Sequence, residues 1–199
     1  MNSTEVTPET FQHLVLVRHG PTPWSRSGQH TGRTDLPLDD GGRVAAAALA
    51  PRLDALSIRE VLTSPLSRAL ETCQLAGLGE KAQVVEDLME WDYGDYEGRT
   101  TREIRAERPH WDLFADGCPG GETPEEVEER ARQALSLFRI AANGVGAVVI
   151  FSHGHLLRVL AACYLGFGVE GARLFTLDAA SISQLGRAEN YPVIRSWNT

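Results

Sequence analysis

Leu14-Val15-Leu16-Val17-Arg18-His19-Gly20-Pro21-Thr22 sets the frame for the rest of the chain. Its apolar run, centred on Val15, Leu16 and Val17, is β-prone and does not alternate with polar residues. A strand buried on both faces, as in a parallel sheet covered by helices, reads this way. The run stops at Arg18 and His19, which therefore fall where the strand ends and the chain turns. In open α/β sheets, ligands bind at that end. The arginine offers a planar fork of donors suited to phosphate or carboxylate, and the histidine a nitrogen nucleophile or base at neutral pH.

Downstream, Pro21 to Gly42 reads as a long irregular segment, and a loop of that length in a compact domain is usually functional. Asp39 or Asp40 is placed to cap a helix from about Arg43 to Leu56, which Pro51 should kink or end early. Glu60 to Thr63 reads as a strand. Ser64-Pro65 then looks like a cap and first-turn pair opening a helix to about Gly77. That puts Arg68 near a helix N-terminus, where amides, dipole and guanidinium together attract an anion. Val84 and Val85 suggest a third strand. From Leu88 to Gly98, aromatics and carboxylates alternate with glycines as in the wall of a site. Thr100 or Thr101 opens a short helix that Pro109 stops.

Asp116 to Gly121 has the composition of a loop able to move as a lid. Thr123, Pro124 and Glu126 form a cap, a first-turn proline and a capping-box acid. Val127, Ala131, Ala134 and Phe138 follow at helical spacing, carrying this helix to about Ala142. Ala147 to Phe151 is a second buried strand, again ending in a polar turn, Ser152-His153-Gly154-His155, with a helix from Leu156 to Leu165. Two late strands hold Ile182, Gln184 and Leu185, then Val193, Ile194 and Trp197, joined by Asn190-Tyr191-Pro192. Strands alternating with helices predict an α/β protein, a three-layer α/β/α sandwich with a largely parallel central sheet. Residues 11–199 form its single domain, and residues 1–10, polar and without a signal-peptide pattern, a disordered lead-in. Arg18-His19 and His153 should converge on one edge of the sheet.

The 199 residues are 42% hydrophobic and 23% charged, enough for one sizeable core. A net charge of −8 argues against a broad basic face for nucleic acid or anionic lipid. No apolar run reaches membrane-spanning length. Cys73, Cys118 and Cys163 are widely spaced, a usage that favours reduced thiols in a cytoplasmic compartment.

A phosphate monoester suits this edge. Arg18 and Arg68 would clamp the phosphoryl oxygens, with a protonated His153 as a further cation. His19 would attack phosphorus through one ring nitrogen, provided the other donates to a backbone carbonyl and fixes the tautomer. Glu90, crowded by Trp91 and Tyr93, is the candidate general acid, in competition with Asp92, Asp95 and Glu97. His153-x-His155 invites a metal reading, but no third ligand lies nearby in sequence, and His155 is assigned to the rim or a helix cap. Gln29, His30 and Arg33 are candidates for contacts to the rest of a substrate. Trp91, Tyr93, Tyr96 and Trp111 stand equally as core or wall. Glu122 to Glu129 reads as a solvated helix start.

These motifs resemble those of the histidine phosphatase, or phosphoglycerate mutase-like, superfamily over nearly the whole chain. Leu16-Val17-Arg18-His19-Gly20 is similar to its signature, Thr63-Ser64-Pro65-Leu66-Ser67-Arg68-Ala69 to its second motif and Phe151-Ser152-His153-Gly154 to its third. Glu90 in Met89-Glu90-Trp91-Asp92-Tyr93-Gly94 stands at the place of its acid. The resemblance implies a phosphohistidine at His19, phosphate contacts from Arg18, Arg68 and His153, proton transfer by Glu90, and neither metal nor cofactor. It adds Thr31 and Gly32 on a substrate-side loop and Ser25 where mutases carry a phosphate-contacting asparagine. It also implies a small phosphorylated metabolite as partner, inorganic phosphate as product, and allows a homodimer. The runs Ser27 to Leu38, Glu90 to Gly98 and Asp116 to Glu122 resemble the acid phosphatase and sugar-bisphosphatase branch. The short segment between Glu90 and His153 favours hydrolysis over a 2,3-bisphosphoglycerate-dependent mutase, which must shield its phosphohistidine from water. A non-catalytic phosphate-binding module is the remaining alternative. Pro21 departs from the family pattern and removes an amide beside the nucleophile.

Overall fold

A computed structural model describes residues 13–141, 146–189 and 191–199, with side chains undescribed from 137 to 141. The expected lead-in, the side chain of Phe138, the helix end at Ala142 and the turn residue Asn190 lie outside the described residues. Six strands form one sheet: β1 (His13–Arg18), β2 (Ile58–Thr63), β3 (Ala82–Val84), β4 (Ala147–Ser152), β5 (Ile182–Ala188) and β6 (Tyr191–Ser196), in the order β3-β2-β4-β1-β5-β6. β1, β2, β3 and β4 pair in parallel, whereas β5 runs antiparallel to both β1 and β6. The helices are α1 (Pro23–Ser27), α2 (Asp40–Ala47), α3 (Ala50–Asp54), α4 (Ser67–Leu75), α5 (Thr101–Glu107), α6 (Leu113–Asp116), α7 (Pro124–Ala141) and α8 (Gly154–Leu165).

Alternate residues of β1 serve two cores, because successive side chains of a strand point to opposite faces. Leu14 and Leu16 pack with Val127 and Ala131 of α7 and Leu156 and Leu160 of α8. Val15 and Val17 pack instead with Leu53 of α3 and Cys73 of α4. The expected three layers follow from this division.

Local signals set most boundaries. Asp39 caps α2 through Gly42 N, and the expected helix from Arg43 to Leu56 is two helices, with Pro51 in the first turn of α3. Thr100 with Glu103, and Thr123 with Glu126, close reciprocal capping boxes at α5 and α7. The segment after β1 holds a helix the sequence reading left out: Thr22 and Ser25 form a capping box that starts α1. Ser64-Pro65 does not open α4. That helix starts at Ser67, whose N and Oγ both donate to the Asp35 carboxylate, a cap supplied from a distant loop. Nor is Asp116 to Gly121 arranged as a lid. Pro119 O accepts from Asp95 N at 2.8 Å, Gly117 O from Trp111 Nε1 at 2.9 Å, and Asp92 O from Glu122 N at 2.9 Å, so the loop is stitched to the 92–95 wall.

Pro21 has no amide to donate, but the backbone around it is hydrogen-bonded. Its carbonyl accepts from Asp39 N at 3.1 Å, and the neighbouring Gly20 N donates to Thr72 Oγ1 at 2.9 Å. Thr72 Oγ1 in turn donates to Arg68 O at 2.6 Å, tying the end of β1 to α4. Thr72→Val keeps the volume but strands the buried Gly20 amide, so stability should fall by about 1–3 kcal/mol. A lower urea midpoint at constant m-value is the expected readout, and an unshifted midpoint would show that the amide does not depend on Thr72.

Candidate active site

The C-terminal ends of three adjacent parallel strands build the site. Arg18 stands opposite Ser152 in the β1–β4 register, His19 N donates to Ser152 O at 2.9 Å, and Ser64 N donates to Phe151 O at 2.9 Å. His19, Ser64 and His153 thus leave the sheet side by side, and His153 is the N-cap residue of α8. Above them lies a cavity of about 230 Å³, whose lining includes Arg18, His19, Glu90, Tyr93, His155 and Arg158.

His19 Nδ1 lies 2.7 Å from Gly20 O. A carbonyl only accepts, so Nδ1 carries the proton and Nε2 keeps its lone pair, the tautomer the sequence reading required. Burial first, then Arg68 and Arg18, hold this imidazole well below its ordinary pKa, and the ring is neutral. The rings of His19 and His153 lie 5.2 Å apart.

Arg68 and His153 are not among the residues that line the cavity. Arg68 donates from Nε to His153 Nδ1 at 3.2 Å, from Nη1 to Thr34 O at 3.1 Å, and from Nη2 to Thr31 O at 3.0 Å and Gly32 O at 2.9 Å. One Nη1 hydrogen remains. His153 Nδ1 accepts and so bears no proton, and Nε2 faces Ser64 Oγ at 2.8 Å. The expectation of a protonated His153 is corrected here: burial, then Arg68 and His19, hold it well below its ordinary pKa, as a neutral ring. Arg18, by contrast, lines the cavity. Its Nη1 donates to Leu177 O, and its buried Nε has no partner among the described residues. A Cβ on Gly154 would come within 3.2 Å of that guanidinium, so any larger residue there would press on it.

Glu90 is buried, its carboxylate gripped by backbone amides: Trp91 N and Leu156 N at 2.9 Å to Oε1, and His155 N at 3.0 Å to Oε2. The start of α8 therefore positions the Glu90 carboxylate as well as His153. Arg130, which the sequence reading passed over, grips the same segment from behind. It donates to the carbonyls of Asp87 at 2.9 Å and Met89 at 2.6 Å, and pairs twice with Glu122 at 2.8 Å. Glu122 is thus a wall strut and not part of a solvated helix start. Glu128 likewise accepts from Val169 N at 2.7 Å.

The other predicted contacts divide. Ser25, Gln29, His30 and Thr31 line the cavity, but the Ser25 hydroxyl is engaged with Thr22 N and Thr22 O. Gly32 does not line it: its amide donates to Glu97 Oε1 at 2.8 Å and its carbonyl serves Arg68. Arg33 faces Met89, Asp92 and Glu122 in the wall. Trp91 belongs to the core, and Tyr93 is a cavity wall that hydrogen-bonds His155 Nδ1. His155 and Arg158 lie three apart on α8 and so on one face, a spacing that, counted from the third motif, could have revealed Arg158. Among the described residues, no group of three or more His, Cys, Asp or Glu is placed to hold a metal ion, and no helix is long and apolar enough to cross a membrane.

Residues 14–199 match the model of the histidine phosphatase superfamily (branch 1). The chain belongs to this superfamily. Acid phosphatase of Mycobacterium tuberculosis is 38% identical over 87% of this chain and 85% of its own length. Sedoheptulose 1,7-bisphosphatase of Saccharomyces cerevisiae is 36% identical over 82% of this chain and 71% of its own. The solved structure of an open reading frame product from Mycobacterium tuberculosis superimposes with a TM-score of 0.90 at 35% identity, covering 94% of this chain and 97% of that one. This histidine phosphatase is a phosphomonoester hydrolase.

Its buried imidazoles link stability to pH. His30 is held by burial at about 4, and His19, His153 and His155 lie well below their ordinary value, with burial the first cause in each. Unfolding returns each to about 6.5, so below that pH the unfolded chain binds the extra protons and the native state loses stability as pH falls towards 4. Urea midpoints should drop between pH 7 and pH 5, and His30→Gln should flatten that slope. A midpoint independent of pH across this window would contradict the neutral assignments.

Proposed function

We propose that this histidine phosphatase hydrolyses small phosphorylated sugars through a phosphohistidine at His19, without a metal. The observation that carries the reading is the Nδ1–H of His19 held on Gly20 O, which turns the Nε2 lone pair to a cavity containing an unpaired arginine donor. Arg18 grips the phosphoryl oxygens from Nε, while Arg68 adds charge and its one remaining N–H. His153 acts as a neutral spacer that keys Arg68 to Ser64.

In the first step, the Nε2 lone pair forms a bond to phosphorus as the P–O ester bond breaks, and Glu90 gives its proton to the departing oxygen. Next, water attacks phosphorus, passes a proton to the Glu90 carboxylate, and the P–N bond electrons return to Nε2. Inorganic phosphate leaves and the enzyme is restored. The named activities of the acid phosphatase and bisphosphatase relatives support hydrolysis of sugar phosphates. The short stretch between Glu90 and His153 supports hydrolysis over mutase chemistry, in which the phosphohistidine has to be shielded from water. The buried, unpaired Cys73, Cys118 and Cys163 fit a cytoplasmic setting.

His19→Ala should abolish phosphate release while leaving the unfolding transition cooperative, and surviving turnover would end the nucleophile assignment. Glu90→Gln should slow alkyl phosphates by about 100-fold or more, and p-nitrophenyl phosphate much less, because a good leaving group needs little protonation. Equal losses on both would remove Glu90 as the acid. With 3-phosphoglycerate and its bisphosphate, released phosphate is the expected product, and 2-phosphoglycerate without release would make the enzyme a mutase.

A further inference from the structure

The α8 wall of the cavity carries a cation for which the reaction above has no use. Arg158 lines the cavity together with Arg18. Its Nε donates to Ala172 O at 3.1 Å, and its guanidinium lies 4.7 Å over the ring of Phe114. Those two contacts hold the planar fork in place, while neither Nη has a hydrogen-bond partner and no carboxylate pairs with it among the described residues. The acids around it are otherwise engaged. Glu90 accepts from three backbone amides, and Asp112 caps α6 and faces Arg173.

His155, one turn earlier, adds a polar ring. It lines the same cavity, and the Tyr93 OH lies 2.5 Å from its Nδ1, which holds the ring in place. The cavity therefore holds one arginine beside the nucleophile and another, with an imidazole, along α8. A substrate with a single phosphate leaves the second arginine's charge unanswered, in surroundings drier than water, where unpaired donors are costly.

We propose that Arg158 and His155 form a second anion subsite, so that preferred substrates are short phosphate esters bearing another anionic group, a phosphate or a carboxylate, on the leaving part. The inference rests on the phosphatase reading and specifies its substrate class.

Four esters test it in matched pairs. Fructose 1,6-bisphosphate against fructose 1-phosphate differs only in a distal phosphate, and 3-phosphoglycerate against glycerol 3-phosphate only in a carboxylate. The native enzyme should prefer the doubly anionic member of at least one pair by roughly 10- to 100-fold in kcat/KM, as a charge-assisted bond of 1.5–3 kcal/mol implies. Preference in the first pair alone assigns the subsite to phosphate, in the second alone to carboxylate, and in both to either anion. Arg158→Met should erase the preference mainly through KM, and Arg158→Lys should keep part of it. p-Nitrophenyl phosphate reports on folding and chemistry separately.

Absence of any preference in the native enzyme would overturn the subsite, even if Arg158→Met does not fold. So would an Arg158→Met enzyme that loses all esters in equal proportion. In both cases p-nitrophenyl phosphate hydrolysis by the native enzyme would leave the phosphatase reading standing. A native enzyme inert towards every phosphate ester would overturn that reading, and the subsite with it.

Discussion

The parallel pairing of β1 with β4 is the constraint on which the site depends. With Arg18 opposite Ser152, the two strands stop at one level, and the chain emerging from each delivers an imidazole to the same place. A shift of one residue would turn every side chain of β1 to the opposite face, exchanging Leu14 and Leu16 for Val15 and Val17 between the two cores. Filled cores on both faces therefore fix the relative height of His19 and His153 to within a fraction of a residue rise. Positioning of the two imidazoles is in this sense a by-product of hydrophobic packing.

Electrostatic design follows from that placement. Two arginines and two histidines crowd one strand edge, and burial makes four positive charges there untenable. The imidazoles yield and stay neutral, while the guanidinium groups remain charged. Arg68 finds acceptors for four of its donors in loop carbonyls and His153, so its charge is well satisfied by protein. Arg18 is served less fully, with Nε unpaired among the described residues. The cavity is thereby arranged to favour a dianion beside a neutral imidazole, the form the proposed attack by His19 requires.

Features written in contiguous residues were legible in the sequence. The apolar runs of β1 and β4, the capping boxes at Thr100 and Thr123, and the break at Pro51 each depend on neighbours within a turn or a strand. So does the polar turn after each strand, from which His19, His153 and their convergence could be read. What escaped depends on contacts between distant segments. Asp35 caps α4 across 32 residues, a relation no local pattern encodes. Ser64 looks like a cap by composition, yet it serves as the partner of His153. Arg130 in an acidic helix start reads as a surface charge, and only the fold brings it under the carbonyls of residues 87 and 89. The glycine-rich 116–121 stretch suggested mobility, but its glycines permit tight backbone approach: Gly94 and Gly121 pack so closely that a Cβ on Gly94 would sit 2.3 Å from Gly121 N.

The sulfur inventory of the molecule has its own consequence. All three cysteines are buried, and burial pushes the thiols of Cys73 and Cys118 up to about 12 and that of Cys163 to about 11. Thiolate, the species that peroxide and alkylating agents attack, is then almost absent at neutral pH. With nitrogen as the nucleophile in the proposed mechanism and no sulfur among the residues lining the cavity, oxidants that silence phosphatases built on an ionised cysteine find no reactive thiolate to attack there.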